Sequence, residues 1–237
     1  MSDNKPKKNG NLKRFFPLVV IILLMVFIFA TGLHKSISIE ALQDNKSYLL
    51  NMVNNHAVIS VLAFMGLYIV TVTLSLPIAL PLSLAGGFLF GSWLGTLYVV
   101  SSATLGAIIV FIIAKTSLGS TLREKAGGMY KRIEKNMTEN AIGYLLFMRL
   151  VPIFPFFLVN IVPALFNVPL RIFALTTFFG IIPGSFVFVN LGNQLGGIEN
   201  PSDLISIQTL LAFALLGFFS LIPTIYKQIK NKGGNNE

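Results

Sequence analysis

Cysteine is absent from the chain, which removes disulfides, thiolate metal sites and cysteine nucleophiles together. Charge is scarce as well: 11% of residues are charged and 54% hydrophobic, whereas soluble domains carry roughly a quarter charged residues. With a mean hydropathy of +0.76, water is excluded as the main solvent. Histidine occurs only at His34 and His56, outside the long apolar runs and without ligand spacing, so no metal site is expected. There is no H-E-x-x-H, no G-x-S-x-G and no aspartate pair inside an apolar run. The parts for hydrolysis are missing, and the chain reads as a non-enzyme without a cofactor.

What the chain has instead is apolar runs longer than the roughly 20 residues that cross a bilayer core. The expectation is an all-α integral membrane protein with about five transmembrane helices. The formal net charge is +9, yet its Lys and Arg lie in short stretches beside the apolar runs. They read as topology signals and anionic-lipid contacts, with no nucleic-acid partner. Residues 1–14 form a polar tail carrying Lys5, Lys7, Lys8, Lys13 and Arg14, and 15–33 is the first span, an uncleaved signal anchor. The segment 34–56 is polar and only loosely helical in its apolar spacing, as in an interfacial amphipathic helix.

From 57 to 114 no Asp, Glu, Lys, Arg or His occurs. That is too long for one span and slightly short for three. Positions 57–76 read as a span; Pro77 and Pro81 then break the helix, and Gly86, Gly87, Gly91 and Gly95 follow before 94–114 crosses fully. Proline removes a backbone donor and glycine permits turns and close contact, so 77–93 is expected to be a re-entrant hairpin. Irregular backbone survives at membrane depth only inside protein or beside a wet cavity, which makes it a pointer to function. The stretch 115–140 is extramembrane, with six Lys or Arg and three Glu. A second uncharged run, 141–170, is broken by Pro152, Pro155, Pro163 and Pro169 and interrupted only by Arg149, giving a second hairpin at about 145–168. A span at 172–191 follows, kinked by Gly180, Pro183 and Gly184. The last span is 208–226, and 227–237 is a polar tail.

Setting Pro81 against Pro155 aligns two units of one plan, a proline-broken hairpin and then a full span. With one full span between them, the hairpins enter from opposite faces and make an inverted repeat, the arrangement that marks a binding site near the midplane. Basic residues flank the N-terminal tail, the 115–140 loop and the C-terminal tail. Three full spans before position 115 would place that loop opposite the N-terminal tail, against the positive-inside tendency.

Residues 55–200 resemble the DedA superfamily, within it the SNARE-associated Golgi protein branch with its VTT domain. The resemblance is carried by Gly87-Phe88-Leu89-Phe90-Gly91 with Gly95, Gly106 and Phe111, and by Arg149-Leu150-Val151-Pro152-Ile153-Phe154-Pro155 with Asn160, followed by Gly180 and Pro183-Gly184. Lys115 stands where that family usually places an arginine. The resemblance implies two facing re-entrant hairpins and movement of lipids across the bilayer, as a scramblase or as a carrier of polyprenyl phosphate or phospholipid. Members of the better-known bacterial branch carry acidic residues in their hairpins. Here no carboxylate lies in 57–114, and only Glu199 lies between 141 and Asp203, so proton exchange through an intramembrane acid is not expected.

Arg149 is the lone charge in its run, and a cation at that depth costs several kcal/mol unless paired or hydrated. Two readings stay open: a ligand for a lipid phosphate, or an arginine that snorkels to the interface or caps hairpin carbonyls. Pro152 and Pro155 shape the hairpin and expose carbonyls, and Asn160 bonds freed backbone groups or a headgroup. Pro77, Pro81, Gly87, Gly91, Gly95, Gly180, Pro183 and Gly184 are packing and turn residues. The expected partners are membrane lipids with anionic or phosphate headgroups, and the expected location is a bacterial inner (plasma) membrane. A small-solute or ion carrier and a non-transporting membrane scaffold are the rival functions.

Overall fold

A computed structural model describes residues 9–31, 44–118, 134–135, 137–150 and 154–194. Positions 1–8 of the expected N-terminal tail, the 227–237 tail, most of the 115–140 loop, Pro152 and the 208–226 span lie outside the described residues, whereas positions 9–14 of that tail are helical and begin α1. Seven helices are described: α1 (Asn9–Thr31), α2 (Lys46–Asn55), α3 (Ala57–Thr73), α4 (Ala79–Ser117), α5 (Ala141–Leu150), α6 (Phe156–Leu165) and α7 (Leu170–Gln194). No strand occurs among the described residues. By length and composition α4 and α7 suffice to cross a membrane, and the bent pair α2 and α3 makes a third candidate. The chain is an all-α integral membrane protein.

The end of α3 follows from its backbone bonds. Ser75 takes a left-handed φ of 52°, its N–H donates to the Val72 carbonyl, and the Leu76 N–H reaches back to Thr71. This is a Schellman cap, with serine in the position glycine usually holds. Pro77 then follows and forbids continuation. The end of α6 repeats the device: Asn167 has φ 54°, the Val168 N–H donates to the Pro163 carbonyl, and Pro169 follows. Pro81 sits in the first turn of α4, where its missing N–H costs nothing because such donors have no helical partner.

α4 is one run by hydrogen bonding but two rods in space. At Gly91 the backbone turns to φ 76°, ψ 174°, a conformation open to glycine and costly for any other residue. The chain doubles back there: a Cβ on Gly95 would lie 2.6 Å from the Gly86 carbonyl oxygen, and one on Gly86 would lie 3.0 Å from Val99. Residues 79–90 therefore run antiparallel to 92–117. They also run antiparallel to α3, since Tyr68 bonds the Ser83 hydroxyl at 3.0 Å while Phe64 packs on Phe90 at 5.3 Å. α3 and 92–117 are parallel, and Val72 presses on Gly106.

The second half has the same plan, with α5 coming in, α6 going out and α7 as the long rod. Pro77 and Pro155, and likewise Gly91 and Pro169, are the same 78 positions apart. The repeat is thus registered on Pro77, where the sequence had suggested Pro81. The arms of the first hairpin also differ from the expected 77–93: the incoming arm is α3, taken from composition as a span of its own. An apolar helix that stops at mid-depth and one that crosses look alike in sequence.

The long rods 92–117 and α7 pack antiparallel, with Phe111 on Phe173 at 4.5 Å toward one end and Trp93 on Phe186 at 5.2 Å toward the other. Trp93, the single tryptophan, is 81% exposed, and Lys115 and Arg171 are exposed at the opposite end. From Trp93 to Lys115 the helix rises about 33 Å, close to the ~30 Å hydrocarbon core, with an aromatic at one boundary and cations at the other. Val72 meets Gly106 near the middle of this rod, so the tip of the first hairpin stops at mid-depth. Leu74, Leu76 and Ile78 of that tip are buried under Ile21, Met25 and Ile28 of α1. α2 leaves α3 at a bend of 115°, level with Trp93, as an interfacial helix would.

Candidate functional site

Arg149 lies in the last turn of α5, against one face of α7. Its Cβ is 3.1 Å from the place a Cβ on Gly180 would take, so glycine there lets the two helices close. Its Nη2 donates to the Thr177 hydroxyl at 2.7 Å, and that hydroxyl donates to the Phe173 carbonyl at 2.6 Å. The guanidinium carbon stands 5.3 Å from the Phe173 ring centroid, in cation–π range. Phe173, Thr177 and Gly180 follow helical spacing, so a single stripe of α7 supplies a ring, a hydroxyl and a gap.

Depth follows from the rods. Phe173 meets Phe111, and Thr177 is one turn further along α7, which places it level with about Ala107 and at the depth of the first hairpin's tip. The guanidinium is held about 12 Å inside the level of Lys115. Its Nε is buried without a hydrogen-bond partner, and the one ion pair among the described residues, Lys135 with Glu139 at 3.8 Å, is an exposed pair elsewhere. A guanidinium fixed by one hydroxyl, with a donor to spare, is built to receive an acceptor.

Asn160 on α6 is fully buried, and both Oδ1 and Nδ2 lack partners. An amide desolvated in this way carries the full cost of its missing bonds unless water or a ligand supplies them. Pro155 caps the start of α6 and is exposed, with Phe154, Phe156, Phe157 and Leu158 also exposed around it. Of the expected substrate contacts, Arg149 and Asn160 have partnerless buried polar atoms, Pro155 is a turn residue at the surface of the same hairpin, and Pro152 lies outside the described residues. Thr177 and Phe173 escaped the sequence reading, although their stripe with Gly180 was the signal.

The glycines and prolines have distinct places. Gly87 meets the Val189 carbonyl and the Asn193 N–H of α7, and Gly192 meets the Leu84 carbonyl; in both cases a Cβ would overlap backbone. Gly95 fits against Gly86 and Val189. Pro183 is inside α7, and nothing lies within 4 Å of where a Gly184 Cβ would be. Arg171 is exposed at the start of α7, and Lys115 rests its Nζ 5.9 Å from the Phe111 centroid. No group of three metal-binding side chains occurs among the described residues.

Two inverted helical hairpins, the first with its tip and the second with the last turn of its incoming arm at the middle of an antiparallel pair of long rods, define a polytopic membrane protein with a central polar site. Residues 76–194 match the VTT domain, and the chain belongs to that family. It is similar to the transmembrane protein 41 homolog of Dictyostelium discoideum, 33% identical over 66% of this chain and 48% of the relative. It is also similar to transmembrane protein 41B of Mus musculus, 30% identical over 72% of this chain and 60% of the relative, and to that of Homo sapiens, at 29% with the same coverage. The chain spans about half to three-fifths of the length of these relatives. No solved structure matches it.

Proposed function

We propose that this protein moves a phosphate-bearing lipid headgroup, of a phospholipid or a polyprenyl phosphate, between leaflets through a groove between the two hairpins, while the acyl chains stay in the bilayer. The observation that carries this reading is Arg149, a cation fixed at depth by Thr177 with its Nε unpartnered. A guanidinium fork suits phosphate oxygens. Asn160 offers a second polar contact, able to donate and accept, and VTT family membership supports a transport role in a membrane.

Counting α3 as half of a hairpin leaves two crossings, α1 and 92–117, before the 115–140 loop. The basic N-terminal tail and that basic loop then share a side, in keeping with the positive-inside tendency. The Lys115 and Arg171 end faces the cytoplasm in this arrangement. We place the protein in a bacterial inner membrane on the strength of its composition; the named relatives are eukaryotic.

The test is reconstitution into liposomes carrying fluorescent phospholipid or polyprenyl phosphate. Folded protein accelerates flipping of at least one of them, Arg149→Lys retains part of the rate and Arg149→Ala loses it. Full activity in the Ala variant sinks the ligand role of Arg149. Flipping of neither lipid by folded protein hands the function to a solute carrier or a scaffold.

A further inference from the structure

The two ends of the rod pair, between which the proposed headgroup path runs, are not alike. Toward the cytoplasmic end stand the cations Lys115 and Arg171. Toward the Trp93 end three segments close on each other: residues 79–90, the Gly91 corner and the last turns of α7. Gly87 and Gly192 bring backbone onto backbone, leaving no side-chain gap. Beside them Ser92 Oγ donates to Asn190 Oδ1 at 2.8 Å, and Asn193 Nδ2 donates to Ser92 Oγ at 3.2 Å.

This contact has the properties of a latch. Its bonds are neutral and half exposed, so water competes for each group and the net hold is modest. The element it holds is hinged: Pro183 cannot donate a helical hydrogen bond, and the open space at Gly184 leaves room for bending just beyond it. Such a proline is a recognised cause of helix kinks. Val189, Asn190, Gly192 and Asn193, and Phe186 against Trp93, all lie on the far side of the hinge. Arg149, Thr177 and Gly180 lie on the near side, so bending at Pro183 leaves the phosphate site intact.

We propose that α7 beyond Pro183 is a gate, latched shut by Ser92, Asn190 and Asn193, which opens to let a headgroup held at Arg149 reach the Trp93 face. The proposal rests on the lipid-translocation reading. It makes the structure a state closed toward the Trp93 leaflet.

The absence of native cysteine gives a clean test. In a Ser92→Cys/Asn190→Cys protein, oxidation joins the latch, as read by a gel shift after protease cleavage between the two sites. The joined form flips lipid at least about tenfold more slowly than the same protein reduced with dithiothreitol. Undiminished flipping in fully joined protein overturns the gate, and failure of the pair to join overturns the placement of the latch. A second readout needs no transport. A single cysteine at position 177 is labelled from the Trp93 side by a membrane-impermeant maleimide about tenfold faster when Ser92→Ala/Asn193→Ala cuts the latch. Equal labelling overturns the gate. If the wild-type chain flips no lipid, the translocation reading fails and the labelling comparison still decides the gate.

Discussion

The two hairpins share one backbone plan and almost no chemistry. Each has an incoming arm that ends at mid-depth and an outgoing arm, and each unit contains a left-handed cap followed by an apolar residue and a proline. In the repeat register, Arg149 of the second hairpin corresponds to Thr71 of the first. Thr71 is buried with its hydroxyl unpartnered. The first tip is covered by α1, and its outgoing arm is sealed on α7 through Gly87 and Gly192. The second carries the half-buried cation and the buried amide, and its outgoing arm begins with exposed aromatic residues. The repeat gives a symmetric frame, and the headgroup chemistry we propose is loaded onto one side of it.

If that division is right, the largest effects come from the charged side and have no echo on the other. Arg149→Ala should lower lipid flipping by about a hundredfold, the scale of a lost charge-assisted hydrogen bond of about 3 kcal/mol. Thr71→Val, its counterpart in the repeat, removes only an unpartnered hydroxyl at nearly equal volume and should leave the rate within about twofold. Initial flipping rates of the two variants, in liposomes of equal protein content, check the pair. Equal losses would break the comparison, because both tips would then contact the headgroup.

A loss of stability rather than of transport belongs to the sealed side. Gly87→Ala puts a methyl into the Val189 carbonyl, and backbone on both sides leaves nothing flexible to yield. A destabilisation of about 2–3 kcal/mol is expected, read as a lower midpoint of unfolding in detergent. Gly184→Ala, with open space around it, should move that midpoint much less and mainly stiffen the hinge.

How much of this was legible beforehand depends on which physical signal each feature left. The absence of charge over 57–114 gave the membrane class directly, and the isolation of Arg149 within 141–170 singled that cation out for attention, because burying charge is costly whatever the fold. Of the glycines and prolines, Pro77 and Gly91 stand at breaks, while Pro81, Gly87, Pro163 and Pro183 lie inside helices. Gly91 alone folds a helix back on itself, and nothing in composition distinguishes it from Gly87, which serves close packing. The depth at which α3 stops was invisible because it is set by packing against α1 and Gly106, both distant in sequence. Thr177 was hidden for a similar reason: a threonine in an apolar span looks like any helix residue until Arg149 is placed opposite it.

That threonine provides the next sharpening of the comparison. Thr177→Val keeps the shape of the α7 stripe and deletes the oxygen that receives Arg149 Nη2, so the guanidinium stays but loses its orientation. Flipping should fall about fivefold, less than for Arg149→Ala, as expected for one hydrogen bond to a charged group in a site that retains its cation. Thr177→Ser, which keeps the oxygen, should recover most of the loss. A Thr177→Ser rate as low as that of Thr177→Val would assign the residue to packing instead of to positioning Arg149.

The smallest effect separates the hairpins at their caps. Ser75 and Asn167 both hold left-handed φ values that cost a non-glycine residue roughly 1 kcal/mol. Ser75 makes no side-chain hydrogen bond among the described residues, so Ser75→Gly should relieve that cost and raise stability by about 0.5–1 kcal/mol. Asn167 Nδ2, in contrast, donates to Glu134 Oε1 at 2.7 Å, which ties the α6–α7 corner to the segment before α5. Asn167→Gly relieves the same strain and loses a hydrogen bond to an acidic side chain, and the two roughly cancel or leave a net loss. Paired thermal unfolding curves in one detergent should show an upward shift for the first substitution and none for the second. An equal upward shift in both would mean that the Glu134 contact contributes nothing, and that the second hairpin is anchored by its buried arms alone.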